Sequence, residues 1–322
     1  MGATNEIMVS IICNAYNHEP YIRDALEGFV MQKTDFVFEI LIHDDASTDK
    51  TADIIREYEA KYPDLIKPIY QTENQYSKGI GAPSIFQHPR VKGKYIAFCE
   101  GDDYWTDPLK LQKQYDAMEA HPEIDICAHT AIKLDAATKQ VIGSIEPRRE
   151  NTIIPVEDVI YGEGGFVATN SLFYRTALLK NMPEFRKILT VDYTRQIEGS
   201  LRGGMLYLKD CMSAYRFMTP GSWTARTTRD IKKVEVLYEK KQKMLEVLNQ
   251  ETHYKYDACI RKRVLKNEML MLLARDDLNA AVSRRFKKVY KELPAKRRFF
   301  IRLRVMFPFL VTLKRKILKR TS

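Results

Sequence analysis

The chain has 322 residues, of which 45% are hydrophobic and 29% charged, a composition that excludes a disordered or fibrous protein. Its length suits one large domain with an extension, or two modest domains. The formal net charge is +10, and the excess lies at one end, because residues 293–322 contain ten Lys or Arg and no Asp or Glu. Such a tail favours an anionic surface such as a phospholipid leaflet. Nucleic acid ranks second as a partner, since no nucleic-acid-binding signature accompanies the charge.

The five cysteines are scattered along the chain and form no C-x-x-C pair. Two of them, Cys13 and Cys99, lie in apolar runs, so we expect reduced, buried thiols in a cytosolic protein. The N-terminus lacks the basic stretch and apolar core of a signal peptide, and no uncharged apolar run reaches the ~18 residues of a membrane-spanning helix. These features together predict a cytoplasmic protein.

Strand-like and helix-like patterns alternate through the first 125 residues. Apolar, β-branched runs predict strands at 9–12, 38–42, 66–70 and 95–99. Helical spacing of apolar residues predicts helices at 20–31 and 109–121, and a further helix with Ile54, Ile55 and Tyr58 on one face. This order is typical of βαβ units in a mainly parallel sheet, in which ligands bind at the carboxyl ends of the strands.

Residues 126–225 are less regular. We predict there a hairpin at 130–142, a flexible loop at 162–165, and strands at 171–174 and 205–208. From Ile231 onward the apolar spacing is helical. We therefore predict an α/β catalytic domain at 1–227 and a helical extension with a basic amphipathic tail at 228–322.

Two acidic clusters directly follow predicted strands, so both are expected at the ligand-binding edge of the sheet. In the segment 100–103, Glu100 and Asp102 offer carboxylates at alternate positions, which suit one Mg²⁺ or Mn²⁺ ion bridging a diphosphate. A solvated Asp-rich turn is the other interpretation. Asp44 and Asp45 precede a helix, where they act either as caps or as acceptors for a nucleobase imide.

Three segments make the pattern specific. Residues 9–17, 39–51 and 93–105 resemble, in that order, the first strand and loop, the second strand with its acidic turn, and the D-x-D strand of glycosyltransferase family 2. The resemblance covers roughly residues 8–225. It implies the GT-A fold, a Rossmann-like, mainly parallel sheet flanked by helices, and an inverting transfer of a sugar from a nucleotide-sugar donor.

The resemblance also implies roles for the residues of these segments. Asn14 and Tyr16 would line the nucleoside pocket, with the Tyr16 ring beside the base, and Asp44 or Asp45 would hold the base. Asp102 would bind the metal and the diphosphate.

Glu100 would then be the second metal ligand, in the position of the first Asp of the D-x-D motif, and Asp103 would belong to the nucleotide-sugar site. The implied cofactor is a divalent cation, Mn²⁺ or Mg²⁺. Ala46 stands where a Gly is common, so a positive φ at this site would reduce stability.

Inversion requires a general base that deprotonates the acceptor hydroxyl. Similar enzymes carry it near a helix start downstream of the metal motif, and Asp192 fits that position; an ordinary helix cap is the other interpretation. Glu198 is a weaker candidate, since its helical spacing points it away from Asp192.

Arg216 resembles the arginine that steadies the diphosphate, and Trp223 either stacks on a sugar ring or is a core or lid aromatic. Met218 stands where the family often has His.

The resemblance therefore predicts a hexosyltransferase-type glycosyltransferase that uses a UDP-sugar and acts on a saccharide or a lipid-linked saccharide in surface polysaccharide or glycoconjugate synthesis. Basic and apolar residues alternate along 297–320, which predicts a segment that lies on the inner face of the cell membrane or else packs on the catalytic domain. Three other functions stay open: a non-catalytic sugar-nucleotide-binding scaffold, a sugar nucleotidyltransferase and a nucleic-acid-binding protein. The nucleotidyltransferase ranks low because residues 14–19 lack glycine and basic residues.

Overall fold

A computed structural model describes residues 6–81, 83–222 and 230–307. The chain forms two compact units, Met1–Ser222 and Trp223–Ser322. The predicted domain boundary at 227/228 falls in 223–229, outside the described residues.

The first half of the larger unit alternates strands and helices. Its elements are β1 (Ile7–Ala15), α1 (Ile22–Val30), β2 (Val37–Asp44), α2 (Thr51–Lys61), β3 (Ile66–Tyr70) and β4 (Tyr95–Phe98). The strands β3, β2, β1 and β4 lie side by side in that order and all run parallel. Both faces of β1 are buried, as expected for a parallel strand covered by helices on both sides.

The second half adds two long strands and four short ones, and the short strands pair antiparallel with their neighbours. Its elements are β5 (Tyr104–Trp105), α3 (Lys110–Ala120), β6 (Ile126–Asp135), β7 (Val141–Ile145), β8 (Thr152–Ile154), α4 (Val156–Gly162), β9 (Phe173–Arg175), α5 (Glu184–Ile188), α6 (Asp192–Ser200) and β10 (Met205–Phe217). The sheet continues from β4 through β9, β6, β10 and β5, and β6 and β10 form a parallel pair. The fold is thus an α/β fold with a mixed, mostly parallel sheet.

The core of this unit lies between the sheet and its covering helices. Leu26 and Phe29 of α1 pack with Ile11 and Ile42 of the strands, and Trp105 joins the same cluster. The rings of Phe29 and Trp105 meet edge to face with their centroids 4.9 Å apart. This packing holds the segment after β4 against α1, which positions the acidic turn.

The predicted flexible loop at 162–165 is wrong. Helix α4 ends at Gly162, and Gly164–Phe166 forms a 3₁₀ turn. The Phe166 ring packs so closely on Gly162 that a Cβ there would lie 2.2 Å from Cδ2 of the ring. Gly162 therefore allows the close packing of the Phe166 ring, which a residue with a Cβ would prevent.

The smaller unit is helical. It contains α7 (Ile231–Glu251), α8 (Asp257–Ala274), α9 (Leu278–Ala281), α10 (Lys287–Tyr290) and α11 (Ala295–Met306). Its own core includes Met269, Phe286, Val289 and Ile301. Within the described part of the chain, no helix combines the length and the apolar character needed to cross a membrane.

Candidate active site

Three strand ends meet at the carboxyl edge of the parallel sheet. β1 lies between β2 and β4, and Ala15 at its end is paired with Asp44 of β2. The Asp45 N–H donates to the Ala15 carbonyl at 2.9 Å, and the Gly101 N–H donates to the Asn14 carbonyl at 2.9 Å. The end of β1, at which the loop 16–21 begins, is therefore hydrogen-bonded to both acidic clusters.

The loop 16–21, which follows β1, is hydrogen-bonded to the turn before α2 through short polar side chains. The Asn17 Oδ1 accepts the Thr48 N–H at 2.8 Å, the Thr51 hydroxyl accepts the His18 N–H at 2.8 Å, and the Asp49 carboxylate accepts the Glu19 N–H at 3.0 Å. These bonds use the short polar side chains that favour turns and caps. They give the two loops a defined relative position before any ligand binds.

The neighbouring aspartates Asp44 and Asp45 are both buried but make different contacts. Both oxygens of Asp45 accept backbone N–H groups, from Gln75 at 2.7 Å and from Tyr76 at 3.0 Å. Asp44 accepts the Ser47 N–H with Oδ2 at 3.1 Å, and its Oδ1 is buried with no protein partner in the described structure. Asp44 thus retains an acceptor for a ligand, whereas Asp45 holds the segment after β3.

Asn14 and Tyr16 flank Ala15, the last residue of β1, which is paired with Asp44 of β2. The Asn14 Oδ1 is also buried and accepts no hydrogen bond from the described residues. The Tyr16 ring is exposed. Buried acceptors without partners are costly, so they indicate a site that a donor-bearing ligand completes.

The turn 100–103 brings three carboxylates into a small volume. Asp103 is buried, and its carboxylate accepts the Arg216 N–H at 2.7 Å. The side chain of Glu100 is accessible to solvent, but surrounding protein atoms and the charges of Asp102 and Asp192 raise its pKa to about 8. Asp102 is buried and its carboxylate makes no hydrogen bond to a described side chain. Glu100 and Asp102 are thus the carboxylates left for a cation.

Arg216 is buried and is hydrogen-bonded to protein groups. Its Nη1 donates to the Asp102 carbonyl at 2.7 Å, and its Nη2 donates to the Asp24 carboxylate. The guanidinium carbon lies 4.5 Å from the Tyr104 ring centroid and 5.1 Å from that of Tyr21. In this arrangement Arg216 connects β10, α1 and the acidic turn.

Asp192 is the first residue of α6, and its position relates to the end of β4, because the Leu172 carbonyl, directly after the 3₁₀ turn Thr169–Ser171, accepts the Phe98 N–H at 3.1 Å. The Thr169 hydroxyl donates to Asp192 Oδ2 at 2.5 Å. Burial raises the pKa of Asp192, although the Thr169 hydrogen bond and the charge of Arg195 oppose the shift. A raised pKa suits a general base that works near neutral pH.

Glu198, the weaker candidate for the base, is part of a buried ion-pair cluster. Its Oε2 accepts from Arg186 and from Arg195, each at 2.8 Å. Removing one member of such a cluster leaves an uncompensated buried charge. The geometry thus gives Glu198 a structural task, and Asp192 remains the candidate base.

The sequence reasoning did not select His18, which the structure places against the acidic turn. A Cβ added to Gly101 would lie 2.9 Å from His18 Nδ1, and this nitrogen is buried without a hydrogen-bond partner among the described residues. Burial lowers the pKa of His18, while the charges of Asp102, Asp49 and Asp44 oppose the shift. The available signal was a histidine in the short polar loop between two strand-end acidic clusters.

The two remaining predictions concern Trp223 and the metal site. Trp223 lies outside the described residues. Among the residues that the structure describes, no three His, Cys, Asp or Glu side chains are grouped closely enough to hold a metal ion. A cation held by Glu100 and Asp102 would complete its coordination with water or with oxygens of a bound molecule.

Residues 10–180, just over half of the chain, match the model for glycosyl transferase family 2. The chain is 36% identical over 228 residues to an uncharacterized protein of Mycobacterium tuberculosis H37Rv, a match that covers 68% of this chain and 62% of that protein. It is 39% identical over 99 residues to a poly(ribitol-phosphate) beta-glucosyltransferase of Bacillus spizizenii, covering 30% and 15% of the two chains. The chain therefore spans less than two thirds of the length of these relatives.

Solved structures with the same fold include S. aureus TarS 1–349 in complex with UDP-GlcNAc, with a TM-score of 0.54 at 19% identity over 88% of this chain and 84% of that one. They also include a mannosyltransferase from Pyrobaculum calidifontis in complex with GDP-Man and Mn²⁺, with a TM-score of 0.53 at 15% identity over 87% and 76% of the chains. The likeness confirms the predicted α/β fold of the GT-A type.

Proposed function

The chain belongs to glycosyl transferase family 2, and we propose that it transfers a sugar from a nucleotide-diphosphate donor, a UDP-sugar, to a hydroxyl group with inversion at the anomeric carbon. The observation that carries this proposal is the set of hydrogen bonds and strand pairs that link Asp44, the turn 100–103 and, through Thr169, Asp192 to the ends of neighbouring parallel strands. Each supplies a group that such a reaction requires. The transferred sugar is proposed to be a hexose.

The proposed nucleoside site consists of Asn14, Tyr16 and Asp44. The free Oδ1 of Asp44 would accept the imide N–H of a uracil base, and the buried Oδ1 of Asn14 would accept a second donor from the nucleoside. The exposed Tyr16 ring would pack beside the base. The complex of TarS with UDP-GlcNAc, which has the same fold, supports a nucleotide-sugar donor.

Glu100 and Asp102 fit a divalent cation, because both offer carboxylate oxygens from one turn and the buried Asp102 carboxylate makes no hydrogen bond to a described side chain. The mannosyltransferase complex with Mn²⁺ supports such a cofactor. When bound with the donor phosphates, Mn²⁺ or Mg²⁺ would offset the charge that develops on the departing diphosphate. We propose that Arg216 acts by holding the Asp102 turn, since its guanidinium bonds the Asp102 carbonyl and Asp24. Asp103 would fix the same turn to β10.

In the proposed reaction, the acceptor hydroxyl attacks the anomeric carbon while Asp192 takes its proton and the nucleoside diphosphate leaves. The Thr169 hydroxyl holds Asp192 Oδ2, which leaves Oδ1 for the acceptor. Because burial raises the pKa of Asp192, turnover should decrease with falling pH at a higher pH than for an ordinary carboxylate. The stacking of Trp223 on a sugar ring stays a prediction.

The proposed acceptor is a saccharide or a lipid-linked saccharide in surface polysaccharide or glycoconjugate synthesis. The relative named as a poly(ribitol-phosphate) beta-glucosyltransferase supports a polymeric acceptor of this kind. An acceptor carried on lipid would place the reaction at the inner face of a membrane.

The test combines isothermal titration and turnover assays over a panel of nucleoside diphosphates and their sugars, with and without Mn²⁺. Asp192→Asn should lower kcat by about 10²–10⁴-fold with an unchanged Kd for the donor, because it removes only the base. Asp102→Asn should abolish the metal-dependent part of donor binding. Asp158→Asn, at an exposed ion pair with Arg148, is the matched control and should behave as wild type. Full turnover by Asp192→Asn, or no binding of any nucleotide by the wild type, would overturn the proposal.

A further inference from the structure

The last described helix, α11, carries an unusual combination of side chains. Its sequence from Ala295 to Met306 includes Lys296 and four arginines but no acidic residue. The same twelve residues contain two adjacent phenylalanines, Phe299 and Phe300. Such a helix must place its apolar groups either in a protein core or against another apolar phase.

One side of α11 is anchored to the smaller unit. Ile301 is only 7% exposed and belongs to the core of that unit with Phe286 and Val289. The Tyr290 hydroxyl donates to the Arg298 carbonyl at 3.0 Å, and Arg304 pairs with Asp276. These contacts fix which side of the helix faces outward.

The opposite side is apolar and exposed. With ~100° between successive residues of an α-helix, Leu303 and Met306 lie on the same side as Phe299, and this side faces away from Ile301. Phe299 is 61% exposed, Phe300 50%, Met306 64% and Phe307 40%. The two phenylalanine rings pack on each other edge to face, with their centroids 5.7 Å apart. We call Phe299, Phe300, Leu303 and Met306 the outer face of α11.

Basic residues flank this outer face on both sides. Arg302 lies along one border and Arg297 along the other, and Lys296 lies between these borders at the start of the helix; all three are exposed. The long Lys296 stem allows its ammonium group to reach the polar layer while the rings beside it stay in the apolar one. A surface with apolar rings in the middle and cations at both borders is complementary to a layer that is apolar below and anionic above. A bilayer with anionic headgroups has that structure, since the rings enter the acyl boundary while the arginines contact phosphates.

We propose that the outer face of α11 docks on the interfacial layer of an anionic phospholipid bilayer, and that α11 lies in the plane of the membrane. The cations Lys314, Arg315, Lys316, Lys319 and Arg320 follow in the chain and add to the positive charge near this helix in sequence. Docking of this kind does not depend on the proposed transfer reaction, because it uses neither the donor nor the residues of the candidate active site.

The experiment is cosedimentation of the full chain with vesicles of equimolar phosphatidylglycerol and phosphatidylcholine, compared with vesicles of phosphatidylcholine alone. Wild type should bind the anionic vesicles at least about tenfold more tightly, and the preference should weaken with added salt. The double variant Phe299→Ser/Phe300→Ser should lose at least about tenfold in binding. The matched control is Val141→Ser/Ile142→Ser, which removes two exposed apolar side chains of β7 in the larger unit and should bind as wild type.

A second measurement guards against a folding defect in the serine variant. Phe299→Trp keeps an aromatic ring, and its fluorescence should be quenched by vesicles that contain brominated acyl chains, beyond the quenching of wild type. Asp192→Asn should bind vesicles like wild type, so that failure of docking and failure of catalysis are separable. Unchanged binding by Phe299→Ser/Phe300→Ser, or no added quenching of Phe299→Trp, would overturn the proposal. A self-association of wild type that the serine variant loses, without vesicle binding, would instead assign the outer face to a second copy of the chain.

Discussion

Asp44 and Asp45 have the same side chain but different hydrogen-bonding environments. The two carboxylates follow one strand, yet one oxygen of Asp44 has no partner in the described structure, whereas both oxygens of Asp45 hold backbone N–H groups. A carboxylate that accepts backbone N–H groups resembles a capping interaction and contributes to stability. We therefore infer that these neighbours divide ligand binding and loop positioning between them.

This division predicts that the same substitution lowers ligand affinity at Asp44 and lowers stability at Asp45. Asp44→Asn should raise the Kd for UDP about tenfold, because a charge-assisted hydrogen bond of ~1.4 kcal/mol is weakened, and should leave the melting temperature unchanged. Asp45→Asn should lower the free energy of unfolding by about 1–2 kcal/mol. Isothermal titration and thermal unfolding measure the two quantities. The interpretation is wrong if Asp45→Asn reduces affinity more than Asp44→Asn does.

Lys110 is a fully buried lysine at the start of α3. Its Nζ donates to Gln114 Oε1 at 2.6 Å and lies 3.9 Å from the Trp105 ring centroid. Burial lowers its pKa to about 7. No carboxylate compensates this ammonium group within hydrogen-bond distance in the described structure, so its charged form is costly.

Linkage gives the sign of the pH effect. An unfolded lysine with a pKa of ~10.4 holds its proton more tightly than folded Lys110, so the cost of burial is complete below pH ~7 and disappears above pH ~10.4. Lys110→Met should thus gain about 2 kcal/mol of unfolding free energy at pH 7, and less than about half of that at pH 9.5. Urea unfolding followed by circular dichroism at both pH values is the measurement. Lys113→Met is the control and should lose stability, since Asp107 and Asp210 raise the pKa of Lys113. A gain that does not change with pH would contradict this account.

At the scale of elements, the acidic turn depends on the elements packed around it. β5, directly after the turn, is antiparallel to β10, and the Trp105 Nε1 donates to the Asn170 carbonyl at 2.9 Å. On its other side, Gly28 of α1 contacts the Trp105 backbone, where a Cβ would lie 2.9 Å from the nitrogen. Helix α1 therefore approaches the turn closely only because residue 28 has no side chain.

Gly28→Ala should lower the free energy of unfolding, although alanine has a higher helix propensity than glycine. Alanine favours a helix interior by about 1 kcal/mol over glycine, but the backbone atoms of Trp105 cannot move aside as a flexible side chain would. We expect a net loss of about 1–2 kcal/mol in unfolding free energy and weaker Mn²⁺-dependent UDP binding, measured by thermal unfolding and titration. Gly165→Ala, where the added Cβ meets open space, should leave both quantities unchanged. An increase in unfolding free energy for Gly28→Ala would show that the Trp105 backbone can move to make room for the added Cβ.

At the scale of the whole molecule, each unit has its own hydrophobic core. The larger unit packs its core between helices and the sheet, and the smaller unit packs Met269, Phe286 and their neighbours. Every described residue of the candidate active site belongs to the larger unit. The outer face of α11 belongs to the smaller one.

A chain that ends at residue 229 should therefore fold and bind UDP in the presence of Mn²⁺ with an affinity close to that of the full chain. It should not bind anionic vesicles, because it lacks α11. Titration, thermal unfolding and cosedimentation of the shortened chain check these expectations. Loss of a cooperative melting transition would show that the larger unit requires the smaller one to fold.

Much of the larger unit could be predicted from local patterns. The apolar runs of β1, β2 and β4 are largely buried strands in the structure, whereas the edge strand β3 has only Ile66 buried. Each of the four predicted runs lies within the observed element or within one residue of it. The strands β1, β2 and β4 can be predicted because a parallel strand covered on both faces requires a continuous apolar run. Ala46 adopts a φ of 60°, so the position that the family often fills with Gly does need the left-handed region.

The sequence by itself determined the fold class, the two acidic clusters at strand ends and the basic, aromatic character of the C-terminal segment, because these depend on residues close together in the chain. Only the tertiary structure decided which side chains have partners. Asp45 and Arg216 bond to groups that are distant in sequence, and Glu198 pairs with Arg186 of the preceding helix, whereas Asp44 and His18 keep buried atoms without partners in the described structure. Packing of Ile301 likewise selected which side of α11 faces outward. The number of partners of a polar atom, and the outward side of a helix, are set by long-range contacts that no local pattern encodes.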